Sequence, residues 1–246
     1  MVDAEILRHR TADHVADAVA IRLITRLVDI QNTGRVPSVV LTGGSIAVKI
    51  HSAIARSPAR GAVDWELVEV WFGDERFVPS SSPDRNAGQA AEALLDRLPF
   101  DPARIHPMPA SDGEYGDDVD AAAAGYAEAL LRAGEEGAPP AFDVLMLGIG
   151  PDGHCASLFP GRREMYDERP VVAVRDSPKP PPTRISLTFG PLGRAHDVWW
   201  VAAGEGKARA VHDAVAGADP QQVPAAGPTG RSHTLWFLDD EAAALL

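Results

Sequence analysis

The sequence predicts a single α/β domain, residues 1–246, built on a doubly wound, mostly parallel sheet with helices on both faces. Short apolar runs alternate with segments whose apolar residues recur at helical spacing, which is typical of strand–helix–strand units. The runs contain almost no charge, as expected of strands buried on both faces. Three runs also lead into glycine-rich turns, near residues 43, 148 and 204. In open parallel sheets such carboxyl-terminal turns are where ligands bind.

The first half of the chain contains three helix patterns and two strand patterns. Thr11 can cap the first helix, whose apolar residues repeat through Ile30. The other predicted elements are a strand at 37–42, a helix through Ile46 and Ile54, a strand at 65–72, and a helix from Asn86 to about Leu98. The charged residues at 74–76 are interpreted as a solvated turn. Residues 104–109 are too rich in proline for a central strand and predict a sheet edge.

The second half continues the same alternation. The predicted elements are a helix at about 119–132, strands at 143–148, 171–174, 184–188 and 198–202, a helix from Gly204 through Val215, and a strand at 235–238 that closes the sheet. The proline-rich run at 177–183 cannot lie inside a sheet, so we expect a stiff loop that could form the wall of a site.

Composition excludes several classes of protein. The formal net charge of −12 argues against non-specific binding to nucleic acid or to an anionic membrane, so any anionic ligand must meet local basic groups. One cysteine, Cys155, leaves no intramolecular disulfide and fits a reducing compartment. The chain has no run of about 18 apolar residues and no signal-peptide pattern at its start. We therefore expect a cytoplasmic protein without membrane contacts, acting as a monomer or a small homo-oligomer.

The stretch at 142–161 is the strongest candidate for chemistry. An apolar run ends at Gly148, and the turn that follows carries Asp152 and His154. A histidine at the carboxyl end of a buried parallel strand stands where a general base would be useful. A structural role for this histidine is the alternative.

Two further turns suggest anion binding. At 42–45 a strand, a diglycine turn and a helix start together can bind an anion through backbone amides and the helix dipole. Lys207 lies at the start of another helix and is one of only three lysines, although a surface lysine is the alternative.

Two other chemistries fit the residues poorly. The segment Gly43-Gly-Ser-Ile-Ala47 approaches the serine-hydrolase turn, but Ala47 replaces its last glycine and no acid and late histidine complete a triad. Asp152 and His154 have no third metal ligand at a recognisable spacing.

Taken together, these segments resemble the 6-phosphogluconolactonase family. The matching segments are Leu41-Thr-Gly-Gly-Ser45, Trp71-Phe-Gly-Asp-Glu-Arg76, Val78-Pro79, Asn86, Gly148-Ile-Gly-Pro-Asp-Gly-His-Cys-Ala-Ser-Leu-Phe-Pro-Gly161, Pro178-Lys-Pro-Pro-Pro-Thr-Arg184, Ile185-Ser186 and Gly204-Glu-Gly-Lys207. The resemblance implies a three-layer α/β/α fold similar to glucosamine-6-phosphate deaminase. It also implies hydrolysis of 6-phospho-D-glucono-1,5-lactone, a sugar-phosphate lactone of the pentose phosphate pathway, without a metal or an organic cofactor.

The resemblance also implies roles for individual residues. His154 is expected to be the general acid and base, Asp152 to orient it, and Arg76 or turn amides to oppose the oxyanion charge. The remaining candidates are expected to contact substrate: Thr42, Gly43, Gly44, Ser45, Arg184 and Lys207 at the phosphate, and Asp74 at sugar hydroxyls or holding Arg76.

Two alternatives share this fold. Glucosamine-6-phosphate deaminases carry a glutamate a few residues after the histidine, whereas here no acid lies between His154 and Glu164. Sugar-phosphate-sensing regulators add a DNA-binding segment, for which we expect no room before Thr11.

Overall fold

The computed structural model describes residues 4–246, and within them it contains nine strands and six α-helices. In chain order these are β1 (Ala4–His9), α1 (Ala12–Asn32), β2 (Ser38–Leu41), α2 (Ser45–Arg56), β3 (Glu69–Phe72), β4 (Asp74–Arg76), α3 (Asn86–Ala93), α4 (Val119–Ala133), β5 (Val144–Gly148), β6 (Val171–Val174), β7 (Arg184–Leu187), α5 (Phe189–Leu192), β8 (Asp197–Ala202), α6 (Ala208–Val215) and β9 (His233–Asp239). No helix in this range is long and apolar enough to cross a membrane.

The main sheet has six parallel strands in the order β1-β9-β8-β5-β2-β3. Its central strands are buried on both faces, and every residue of β8 is buried. The indole rings of Trp200 and Trp236 stack across β8 and β9 with centroids 4.8 Å apart. The predicted fold class is therefore confirmed, and its cause is the uninterrupted apolar character of these runs.

Helix α1 illustrates how the local pattern produces a packed element. The Thr11 hydroxyl accepts a hydrogen bond from the His14 amide at 3.3 Å, which caps the helix as predicted. The predicted apolar positions, from Val15 to Ile30, are all buried. This apolar stripe packs α1 against α2 and β9.

A second, three-stranded antiparallel sheet has the order β4-β7-β6. The interpretation of 74–76 as a solvated turn is wrong, because Asp74 and Glu75 are both buried. The Glu75 carboxylate can be buried since it accepts hydrogen bonds from the backbone amides of Arg76, Asn86 and Ala87 at 2.7–2.9 Å. The strands predicted at 171–174 and 184–188 belong to this sheet and not to the main one.

The prediction that the strand at 235–238 closes the main sheet is also wrong. Strand β9 does not close the sheet, because β1 pairs with it in parallel from Ala4 to His9. Strand β1 is largely exposed, and its alternation of charged and apolar residues is typical of an edge strand.

Three predicted elements are shorter in the structure than the sequence suggested. Residues Trp65–Leu67 and Leu95–Arg97 form 3-10 turns beside β3 and α3, and Glu205–Lys207 forms another before α6. The edge predicted at 104–109 is reduced to one parallel bridge between Ile105 and Val70.

Candidate active site

A pocket opens at the carboxyl ends of β2, β5 and β8, the edge of the sheet where the glycine-rich turns predicted a site. All ten predicted site residues except Asp152 line it directly, and the Asp152 side chain contacts the pocket residues His154 and Lys179. The residues lining the pocket are Thr42, Gly43, Gly44, Ser45, Ile46, Asp74, Arg76, Asn86, Gly148, Ile149, Gly150, His154, Ala156, Lys179, Arg184, Val201, Ala202, Ala203 and Lys207.

The turn after β5 holds Asp152 and His154 side by side. The Gly150 amide donates to the His154 carbonyl at 2.9 Å, and Gly153 adopts a φ of 81°. A Cβ at Gly150 would collide with both the His154 ring and the Asp152 carboxylate. Glycine at 150 is therefore required for these two side chains to meet.

Asp152, His154 and Lys179 form a compact charged group. Asp152 Oδ1 lies 2.5 Å from His154 Nδ1, and Lys179 Nζ lies 3.5 Å from the same oxygen and 3.3 Å from the ring nitrogen. Partial burial by itself raises the pKa of Asp152, but the hydrogen bond with His154 and the charges of His154 and Lys179 outweigh it and hold that pKa well below its usual range. Asp152 is thus a carboxylate at neutral pH, aimed at one ring nitrogen of His154.

The opposite side of His154 is apolar. The Phe159 ring lies with its centroid 4.6 Å from that of the imidazole. The neighbouring Cys155 side chain is fully buried in the core, and burial raises the pKa of its thiol. Cys155 is therefore a packing residue and contributes no thiolate to the pocket.

The diglycine turn brings backbone amides to the pocket. Gly44 precedes α2 with a φ of 97° and provides no side-chain cap, and within residues 4–246 the amides of Ser45 and Ile46 have no hydrogen-bond acceptor. A Cβ at Gly43 would collide with the Asn86 side chain. Unpaired amides at a helix start are able to bind an anion, and anion binding at this turn stays a prediction.

Arg76 is held in place by the start of α3. Its guanidinium donates to the Asn86 side-chain oxygen at 2.9 Å and to the Asp84 carbonyl at 2.6 Å. Asn86 in turn donates to the Asp74 carbonyl at 2.9 Å. The Asp74 carboxylate accepts a hydrogen bond from the Ser157 hydroxyl at 2.7 Å and lies 4.0 Å from Arg184. Among the described residues it makes no ion pair with Arg76, so of its two expected roles only the contact with sugar hydroxyls stays a prediction.

Two more cations complete the pocket. Arg184 donates to the carbonyls of Pro181, Pro180 and Lys179 at 2.9–3.1 Å, which fixes its guanidinium. Lys207 Nζ donates to the Ile149 carbonyl at 2.7 Å. Burial lowers the pKa of both groups, as expected for cations brought into a partly desolvated site.

Sequence reasoning missed two pocket residues as site residues. Lys179 lies in the proline-rich loop, which does form a wall of the pocket, and Asn86 also lines the pocket although it was given no role in the site. Asn86 was part of the family resemblance and Lys179 was one of three lysines, but no local pattern indicated that either side chain would reach the pocket.

Comparisons with known proteins show the family of this chain. A family model described as glucosamine-6-phosphate isomerases/6-phosphogluconolactonase matches residues 10–236. A Streptomyces coelicolor protein named 6-phosphogluconolactonase is 52% identical over 98% of this chain and 94% of its own length. The structure of a Trypanosoma brucei 6-phosphogluconolactonase covers all of both chains with a TM-score of 0.84 at 26% identity. A monomeric glucosamine-6-phosphate deaminase, at 17% identity and a TM-score of 0.80 over 98% of this chain and all of that one, shares the fold. The chain therefore belongs to the glucosamine-6-phosphate isomerase/6-phosphogluconolactonase family.

Proposed function

We propose that this protein hydrolyses 6-phospho-D-glucono-1,5-lactone to 6-phospho-D-gluconate, the second step of the oxidative pentose phosphate pathway. The observation that carries the proposal is the Asp152–His154 pair in a pocket that also holds four basic side chains: Arg76, Lys179, Arg184 and Lys207. Such a pocket suits an anionic substrate with a carbonyl centre that water attacks.

His154 is the general base in this proposal. The Asp152 carboxylate can only accept a hydrogen bond, so the His154 Nδ1–H group donates to it. The neutral imidazole therefore carries its proton on Nδ1 and keeps a lone pair on Nε2. Nε2 can then remove a proton from the water that attacks the lactone carbonyl. The same proton, held on His154 as imidazolium and stabilised by Asp152, is returned to the ring oxygen as the carbon–oxygen bond breaks. One water is consumed and one carboxylic acid and one hydroxyl form, and the acid then releases the second proton of the water to solvent and becomes the carboxylate.

We assign the remaining pocket residues to two anionic groups of the reacting substrate, the oxyanion and the phosphate. For the oxyanion of the tetrahedral intermediate we assign Arg76 or the turn amides, because the Arg76 guanidinium is already fixed by Asn86 and would reorganise little. For the phosphate we assign the Thr42–Ser45 turn with Arg184 and Lys207, since a dianion needs several charge-assisted donors.

The deaminase-like alternative receives no support from the pocket. The deaminases carry a glutamate a few residues after the histidine, whereas the first acid after His154 in this chain is Glu164. The Glu164 side chain is buried, lies 3.7 and 3.6 Å from Arg162 and Arg163, and does not line the pocket.

The decay of freshly prepared 6-phosphogluconolactone, corrected for spontaneous hydrolysis, tests the proposal directly. His154→Ala should lower kcat by about 10²–10⁴-fold, the usual contribution of a positioned acid or base. His14→Ala, at an exposed histidine outside the pocket, is the matched control. A folded His154→Ala protein with near wild-type turnover would remove His154 from the mechanism.

We also expect turnover without a metal and without a serine nucleophile. Neither a chelator nor a fluorophosphonate should inhibit the protein. Activity lost to a chelator and restored by zinc, or stoichiometric labelling of Ser45 with loss of activity, would contradict this expectation.

A further inference from the structure

A second cavity lies at the amino-terminal ends of the strands of the main sheet, whereas the catalytic pocket lies at their carboxyl ends. It has a volume of about 720 Å³, within the range of small-molecule sites. It opens beside the amino-terminal ends of β2 and β3 and the segments that lead into β5 and β8, which include Ser38, Glu69, Ala141 and His196. Because the strands are short, the two sites are separated by about 13–17 Å of sheet. No role in the lactonase reaction falls to this cavity.

Its lining is basic in a chain whose net charge is −12. Four arginines face it, Arg35, Arg104, Arg194 and Arg231, against the carboxylates of Glu69 and Glu135. Such a local concentration of guanidinium groups needs a reason, since the global field of this protein repels anions.

Two of these arginines are already neutralised. Arg35 pairs with the buried Asp143 carboxylate at 2.9 Å, and Arg104 pairs with Glu69. Glu69 also bonds His106 at 2.6 Å, and the His106 ring stacks on Trp71 with centroids 3.9 Å apart. These contacts form a rigid wall for the cavity.

The other two arginines, Arg194 and Arg231, supply positive charge in excess of the one remaining lining carboxylate, that of Glu135. Within residues 4–246 neither Arg194 nor Arg231 lies within 4.0 Å of a carboxylate oxygen. Arg194 Nε donates to the Pro139 carbonyl at 2.7 Å, which fixes the guanidinium while its terminal nitrogens stay available.

The backbone places Arg231 beside Arg194. The Arg231 amide donates to the Ala195 carbonyl at 2.9 Å and the next amide, of Ser232, to the His196 carbonyl at 2.8 Å. A Cβ at Gly230 would collide with the His196 and His233 carbonyls, so this close approach depends on glycine.

We propose that this basic cavity is a second anion site, which binds a phosphorylated small molecule through Arg194 and Arg231. Two guanidinium forks, one already oriented, match the several oxygens of a phosphate group better than a single carboxylate. The volume leaves room for an organic group beyond the phosphate.

Amide and arginine Nε–H resonances of the ¹⁵N-labelled protein, titrated with inorganic phosphate, test the proposal. A final concentration of about 50 mM saturates a site whose Kd is in the millimolar range. We expect two saturable groups of shifts, one at 43–46 and 204–207 and one at 194–196 and 230–233. In the Arg194→Ala/Arg231→Ala variant the second group should lose at least tenfold in affinity while the first is unchanged. Arg163→Ala, an exposed arginine outside both cavities, should retain both groups.

Two further titrations test whether the ligand must carry a phosphate group. 6-Phosphogluconate should shift the second group, whereas gluconate, which lacks the phosphate, should not. If the double variant does not fold, Arg194→Ala and Arg231→Ala are measured singly, each with a weakened second group. Absence of saturable shifts at 194–196 and 230–233, their persistence in the variants, or equal shifts with gluconate would overturn the proposal. None of these outcomes depends on the lactonase reaction.

Discussion

Replacing Asp152 by asparagine tests the central feature of the proposed mechanism, the hydrogen bond that orients His154. The carboxylate oxygen lies 2.5 Å from Nδ1, and the side chain of Asp152 is partly exposed, so asparagine fits without a new buried group. The substitution removes a charge and leaves the shape of the turn.

The structure sets the size of the expected effect. A hydrogen bond to a charged group contributes about 1.5–3 kcal/mol, and each 1.4 kcal/mol is about tenfold in rate, so loss of the bond alone predicts about 10–150-fold. An asparagine that turns its NH₂ group toward Nδ1 would also move the ring proton to Nε2 and remove the base. We therefore expect kcat to fall by about 10²–10⁴-fold.

The assay is lactone hydrolysis corrected for the spontaneous rate, with Asp29→Asn at an exposed position as the control. The ¹⁵N shifts of the His154 ring should show the Nδ1–H tautomer in the wild type and a larger Nε2–H fraction in Asp152→Asn. Added to His154→Ala, the substitution should cost nothing further, because the two residues act as a unit. A kcat within about threefold of wild type, or full additivity with His154→Ala, would refute the orienting role.

Three other predictions concern the phosphate, the turn and a buried histidine. Lys207→Ala should narrow the preference for phosphorylated over unphosphorylated gluconolactone by about 10–100-fold, or about 1.4–2.8 kcal/mol; equal impairment of both substrates would show that Lys207 supports the loop instead. Gly150→Ala should lower kcat by more than about 10²-fold in a folded protein, since its Cβ displaces the general base, whereas Gly61→Ala, where a Cβ meets nothing within 4 Å, should be neutral. Burial lowers the pKa of His51 from 6.5 to about 4. Between those values the unfolded chain binds a proton that the folded protein does not, so the free energy of unfolding should decrease as the pH falls from 6.5 to about 4, by up to about 1.4 kcal/mol per pH unit. Urea unfolding of His51→Leu at several pH values should give a free energy of unfolding without this part of the pH dependence. An unchanged pH dependence would contradict the assignment.

Local patterns in the sequence are enough to predict five of the six strands of the main sheet and the position of the turn that carries Asp152 and His154. Apolar runs such as 143–148 and 198–202 can be stable only when buried on both faces, so their pattern is a local consequence of burial. The glycines around Asp152 and His154 also carry a local signal, because a turn that brings two side chains together tolerates no Cβ at Gly150. Both features are encoded within a few neighbouring residues.

The features that local patterns did not predict depend on partners far away in the chain. The burial of Asp74 and Glu75 was missed because a charge run is buried only where other segments supply donors, here Ser157 and the amides at 86 and 87. Strand β1 was missed because its neighbour β9 follows more than 220 residues later, and an edge strand has no continuous apolar run. Lys179 reaches Asp152 across 27 residues, through a loop whose path no short-range periodicity describes. Local patterns determine which segments are buried, whereas the pairing of charges and edges depends on how those segments pack.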